Sequence, residues 1–223
     1  MPDGFAPMTA AAVLAGGVHL GAYYGGNARL AGVAKAVPIA LLLAWVLLHA
    51  PVVGEGYRWL VAAGLLFSMG GDLLLLSRDR FRAGLASFFV GHVCYTLAFS
   101  MASACEPQPG VLLMLLVVGG GILRVLWPHV RRERVPVASY IVMISIMAWT
   151  ALGRSVAATT AEPSGILAAA GAVVFMTSDA TLALDRFVRA WHGAHAAVMV
   201  TYYAAQILIA ASVDGLAITS ALA

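Results

Sequence analysis

The chain has 223 residues, of which 62% are apolar and only 10% charged, with a mean hydropathy of +0.92. About a quarter of the residues of a water-soluble domain are usually charged, so these charges are too few to coat a globule and the composition points to lipid as the solvent. The net charge of +3 is small and no basic run is interleaved with aromatics, so nucleic acid is not an expected partner.

A membrane-spanning helix needs about 20 predominantly apolar residues. Read in chain order, the sequence predicts eight such helices, over residues 8–25, 36–53, 57–77, 84–104, 110–127, 135–152, 165–184 and 194–213. The first is the most polar, carrying His19, Tyr23 and Tyr24. The links are short and punctuated by Pro and Gly, as at Pro51 and Gly54 and at Pro107 to Gly110. No link is long enough for a second domain, so residues 1–223 are expected to form one all-α transmembrane bundle. The first basic residue is Arg29, so the N-terminus lacks the basic region of a cleaved signal peptide. Cys94 and Cys105 lie eleven residues apart on what reads as one helix, about 16 Å along its axis, so no disulfide is expected between them.

Basic residues concentrate in cytoplasmic loops, and here they alternate from link to link. Arg29 and Lys35, then Arg78, Arg80 and Arg82, then Arg124, Arg131, Arg132 and Arg134, then Arg186 and Arg189 all fall at the odd-numbered links. Only Arg58 and Arg154 fall on the other side, which carries the acids Asp3, Glu55, Glu106, Glu162 and Asp214. This partition predicts both termini outside the cytoplasm, in what is expected to be a bacterial inner membrane.

The third and seventh spans read alike. Gly64, Met69 and Asp72 are matched in spacing by Gly171, Met176 and Asp179, and Asp79-Arg80-Phe81 is matched by Asp185-Arg186-Phe187. Tyr95 and Tyr202 each lie 23 residues beyond their aspartate. Copies four spans apart share an orientation, so a parallel 4+4 repeat is expected, with halves over about 8–104 and 110–213.

A carboxylate inside a bilayer costs on the order of 3 kcal/mol on the insertion scale, and such groups face the bundle interior and mark functional sites. Asp72 and Asp179 are therefore the first candidate catalytic residues, each about 8 Å inside the cytoplasmic end of its helix. His92 falls near the midplane of the fourth span and shares a face with Gly84, Phe88, Gly91, Tyr95 and Phe99. His195, Met199, Tyr202 and Gln206 form a matching stripe on the eighth. Together these predict one polar cavity that both aspartates share. Lys35, at the expected cytoplasmic start of the second span, suits either a topology anchor or a phosphate-binding role. No GxSxG nucleophile elbow, no HExxH zinc motif and no tight cluster of metal ligands is present in the sequence, so neither a metal nor another cofactor is expected.

The stretches FSMGGDLLLL and FRAGLASFFVGHVCYTLAF, with GAVVFMTSDATLALDRF, YYAAQILIA and the Lys35-x-x-Pro38 start of the second span, resemble the YhhN-like family over about residues 30–212. Animal members of that family are lysoplasmalogenases. Gly91 stands before His92 where the family pattern leads one to expect Ala. The resemblance implies hydrolysis of the vinyl ether of a lysophospholipid to a fatty aldehyde and a glycerophospho-alcohol. Such a bond is cleaved by protonating its distal alkenyl carbon, adding water to the resulting oxocarbenium ion and collapsing the hemiacetal. One aspartate would give the proton and the other, ionised, would steady the cation. His92, Tyr95, Tyr202, Gln206 and His195 would orient water and substrate, and Lys35 would hold the phosphate. A proton-coupled transporter or lipid carrier with an intramembrane acidic site is the alternative that residue chemistry alone leaves open.

Overall fold

The computed structural model describes residues 5–51, 53–101, 108–157 and 163–214. Among them it contains eight α-helices and no strand: α1 (Phe5–Tyr24), α2 (Ala28–Leu48), α3 (Glu55–Leu74), α4 (Phe81–Met101), α5 (Pro109–Leu126), α6 (Arg134–Ala157), α7 (Pro163–Phe187) and α8 (Ala194–Asp214). A chain in hydrocarbon must satisfy its backbone groups within each segment, which only helices and closed barrels achieve. Seven of the eight are long and apolar enough to cross a membrane. The remaining one, α3, has 20 residues and is made less apolar by Glu55, Arg58 and Asp72, and it packs against both α2 and α4. Large apolar side chains such as Leu14, Leu48, Leu113 and Val117 are exposed on the outer surface. This is the arrangement of a multi-pass integral membrane protein, whose rim meets lipid.

The helix ends follow local chemistry. Gly26, at φ +77°, turns the chain after α1, and the Asn27 side chain then caps α2 by accepting from the Leu30 amide at 3.1 Å. That cap starts α2 eight residues earlier than the sequence suggested, because the segment that carries Arg29 and Lys35 is itself helical. Pro109 and Pro163 stand at the first positions of α5 and α7, where a missing N–H costs nothing. Of the link residues on the outer side, 102–107 and 158–162 lie outside the described residues, as do Asp3, Cys105, Glu106 and Glu162. Cys94 is a free thiol, half-buried on α4; the pairing expectation, which involves Cys105, falls outside what is described.

Helix neighbours run in the same order in both halves of the chain. α1 packs on α2, α2 on α3 and α3 on α4, while α5 packs on α6, α6 on α7 and α7 on α8; α4 then meets α6 as α8 meets α2. The two tightest pairs, α3 with α4 and α7 with α8, close over Gly64 and Gly171. A side chain at Gly64 would run into the Tyr95 ring, and one at Gly171 would come within 2.7 Å of Ile209. The halves differ at their first helices. α1 also packs along α8, whereas α5 leans on α6 and more lightly on α7. A cavity lies where α5 stands off from α4. Beside it, at the α5–α6–α7 ends, a small second core forms around Leu126, Val130 and Val137.

Candidate functional site

The cavity, about 760 Å³ when the open space at its mouth is included, is walled by α4, α5, α6 and α7. Its lining is mostly apolar, including Leu85, Phe88, Ile122, Ile141, Ile144 and Met176. The polar exceptions are Tyr140, Asp179, Ser145 and Arg186. Asp179, in the middle of α7, keeps 15% of its side chain exposed.

Asp179 is held by its neighbours. The Tyr140 hydroxyl on α6 donates to Asp179 Oδ2 at 2.5 Å. The same oxygen lies 3.7 Å from His92 Nε2, on α4. His92 donates from Nδ1 to the Phe88 carbonyl at 2.6 Å, so a neutral ring presents the lone pair of Nε2 towards the carboxyl group. That Nε2 has no hydrogen-bond partner within the protein. A phenol, a carboxyl and an imidazole thus meet around one oxygen, at the wall of an apolar chamber. The arrangement can hold a proton and pass it to a group lying in the chamber.

Asp72 sits in a different setting, which corrects the expectation of one pocket shared by both aspartates. The cavity is lined by Asp179 and not by Asp72. Lys35 Nζ lies 3.1 Å from Asp72 Oδ1 and donates also to the Asp72 carbonyl at 3.4 Å. Lys35 itself is only 8% exposed. Its expected place at the cytoplasmic surface, free to bind a phosphate, is therefore also corrected: the early start of α2 carries Lys35 two turns into the helix, where burial is tolerated because the charge is paired.

The other polar residues expected to orient substrate divide between places. Tyr95 donates to Gln206 Oε1 at 2.7 Å, and Tyr202 lies beside Asp72 and Gln206. In this group Ser68 Oγ, Asp72 Oδ2, the Tyr202 hydroxyl and Gln206 Nε2 are all buried without a hydrogen-bond partner in the protein. Tyr202 faces both Asp72 and Gln206, and Ser68 faces Tyr95, so these atoms form one buried polar network between α3, α4 and α8. Phe175 touches both polar groups, its ring centroid 4.7 Å from His92 and 5.5 Å from Tyr202. His195 stands apart from them. Its Nε2 lies 3.0 Å from His19 Nε2, and its ring stacks on Tyr23 at the meeting of α1 and α8. Among the described residues no three His, Cys, Asp or Glu side chains converge as metal ligands. Arg154, assigned by sequence to the outer loops, is buried and donates to the Tyr57 hydroxyl and to Ser164 Oγ.

Sequence reasoning missed Tyr140, which touches Asp179. A signal for Tyr140 was present. Lys35 precedes Asp72 by 37 residues and Tyr140 precedes Asp179 by 39. Each is the side chain that the second helix of its half sends to the aspartate of the third.

Comparison with known proteins gives a consistent result. The family model described as the YhhN family matches residues 30–213. A human protein named lysoplasmalogenase TMEM86B is 33% identical over 183 residues, covering 82% of this chain and 74% of its own. A Mycobacterium bovis protein named lysoplasmalogenase is 33% identical over 194 residues, covering 83% and 71%. An Escherichia coli protein named uncharacterized membrane protein YhhN is 35% identical over 114 residues, covering 51% and 53%. No solved structure matches the chain.

Proposed function

The chain belongs to the YhhN family, and on that footing we propose that it is a membrane-embedded hydrolase that cleaves the vinyl ether bond of lysoplasmalogen-like lysophospholipids. The products are a fatty aldehyde and a glycerophospho-alcohol. The observation that carries this reading is the Asp179 carboxyl on the wall of an apolar cavity, in a chain one third identical to proteins named lysoplasmalogenases.

The alkenyl chain lies among the apolar side chains of α4 to α7, with its double bond against Asp179. Asp179 gives its proton to the distal alkenyl carbon. The double-bond electrons form the new C–H bond, and the ether oxygen shares the positive charge left on the adjacent carbon. The carboxylate so produced faces that oxocarbenium ion and steadies it, in a setting with few competing dipoles. Water adds to the cationic carbon, its proton returns to the site, and the hemiacetal breaks its C–O bond to give aldehyde and alcohol. Tyr140 and His92 keep the Asp179 carboxyl in position and accept or return its proton. The water comes from the polar cluster of Ser68, Asp72, Tyr202 and Gln206, with Tyr95 fixing the Gln206 amide. The Lys35–Asp72 pair holds that cluster together and takes no part in the proton transfer. His195, paired with His19 and stacked on Tyr23, would meet substrate at the edge of the same end of the bundle.

We also take the two halves of the chain to be copies of one four-helix unit, and both termini to face away from the cytoplasm across a bacterial inner membrane. The alternation of basic residues and the repeated order of helix neighbours support this.

The test is incubation of purified protein in detergent with lysoplasmalogen and, in parallel, with a saturated lysophospholipid. Aldehyde should form from the first, and neither aldehyde nor free fatty acid from the second. Fatty acid from either substrate, or no aldehyde from the first, would overturn the assignment. A carrier would release no product in detergent, where no gradient exists.

A further inference from the structure

We infer that the gap between α4 and α5 is a portal through which the hydrocarbon tail of the substrate lies out in the bilayer while its vinyl ether meets Asp179, an inference that rests on the cavity being the substrate site. The chamber is short. Its lining comes from the first halves of α4 and α6 and the last halves of α5 and α7, so it occupies the half of the bundle next to the basic links. Its inner end is shut. Met176, the innermost lining residue of α7, precedes Asp179 by three residues, about 4.5 Å along the axis. Beyond that level each wall helix runs into closed core, where Tyr95, Leu115, Ala148 and Ala172 are all buried. Only a few carbons past the double bond fit in that depth. The remainder of a long tail must leave through a wall.

The walls differ in how they are joined. α4 packs on α6, α6 on α7, and α5 on both α6 and α7. The seam between α4 and α7 is closed by rings: Phe81 meets Phe187 edge to face at 5.7 Å, and deeper in, Phe88 and His92 meet Phe175 at 6.4 and 4.7 Å. Among the described residues α4 and α5 do not pack along one another. Leu85 of α4 and Ile122 of α5 line the chamber there and are both partly exposed, which marks the edges of the gap. α5 is the least embedded wall, with only Leu115, Gly119 and Leu126 buried, and its outer face carries exposed Leu113, Leu116 and Val117. Such a surface already faces hydrocarbon, so a tail that passes between α4 and α5 goes from apolar wall to lipid without meeting water or an unpaired polar group. The protein thereby reads the part of the lipid next to the scissile bond and leaves the tail unmeasured.

The experiment measures aldehyde release from lysoplasmalogens that share a head group and differ in tail. In mixed micelles at equal surface fraction, the wild-type protein should give closely similar kcat/KM for dodecenyl, hexadecenyl and octadecenyl tails. A steep fall along that series means a closed pocket and overturns the inference. The second arm narrows the gap with Leu85→Trp and, separately, Ile122→Trp, and compares the hexadecenyl lipid with a butenyl analogue short enough to stay inside the chamber. The ratio of kcat/KM for the long lipid to that for the short one should fall about tenfold from its wild-type value in both variants, the scale of forcing a bulky side chain into an occupied path. Val117→Trp, on the face of α5 turned away from the chamber, should leave the ratio unchanged. An unchanged ratio in Leu85→Trp and Ile122→Trp, with aldehyde still formed, overturns the portal and leaves the hydrolase reading standing. Loss of aldehyde from both lipids in both variants also overturns it, because the two positions then serve the fold or the chemistry and not the passage of the tail. A wild-type protein that releases aldehyde from no lipid of the series removes the hydrolase reading and the portal with it.

Discussion

The hydroxyl of Tyr140 and the imidazole of His92 both address Oδ2 of Asp179, at 2.5 and 3.7 Å. A proton that must reach carbon needs a donor fixed in direction, and two neighbours on different helices provide that. Asp179→Asn should lower the turnover of lysoplasmalogen by about 100-fold or more, the usual contribution of a general acid. Tyr140→Phe, which keeps the ring and removes the hydroxyl, should cost about tenfold; both are read as aldehyde release by folded protein. The Lys35–Asp72 pair should behave differently. Replacing either partner alone, by Lys35→Met or Asp72→Leu, leaves a buried charge without its counter-ion and should cost about 3–5 kcal/mol of stability. The double replacement should cost much less than the sum, as read from thermal unfolding in detergent. Equal losses in single and double variants would mean that the two side chains do not act as a pair.

At the scale of helices, the close pairs α3–α4 and α7–α8 depend on the absence of a side chain at Gly64 and Gly171. Gly64→Ala forces the Tyr95 ring away from its bond to Gln206, and Gly171→Ala presses on Ile209 and the backbone of α8. Each should lose about 1–3 kcal/mol of stability. Gly120→Ala, on α5 with open space around its Cα, should lose almost nothing by the same unfolding measurement. These helices were legible in the sequence, because hydrocarbon demands long apolar runs and seven runs satisfy that demand plainly. The start of α2 was not. A lysine near a membrane boundary reads as an anchor in water, and only the position of Asp72 on another helix shows that Lys35 has a partner inside. Asp179 and His92 stood out because a charge and an imidazole are costly in lipid. Tyr140 did not, since a tyrosine within an apolar run costs little and signals nothing by itself. Arg186 was read as one more topology charge. It lines a cavity that arises because α5 stands away from α4, a matter of packing that no local pattern records.

For the molecule as a whole, the proposed reaction requires the chamber between α4 and α7 to accept an alkenyl chain. Ala183→Phe, which narrows the wall beside Asp179, should raise KM for lysoplasmalogen severalfold, read as aldehyde release by folded protein. The orientation can be read independently. A reporter fused after Arg132 should register as cytoplasmic, and one fused after Asp214 should register on the opposite face. The chain also holds a single lysine among its 13 basic residues, and that lysine is buried against Asp72. Fatty aldehydes condense with uncharged amines to form Schiff bases, a reaction open to lysine and closed to the permanently charged guanidinium. On the proposed reaction such an electrophile would form within the bundle, where the chain's one lysine is already engaged by Asp72.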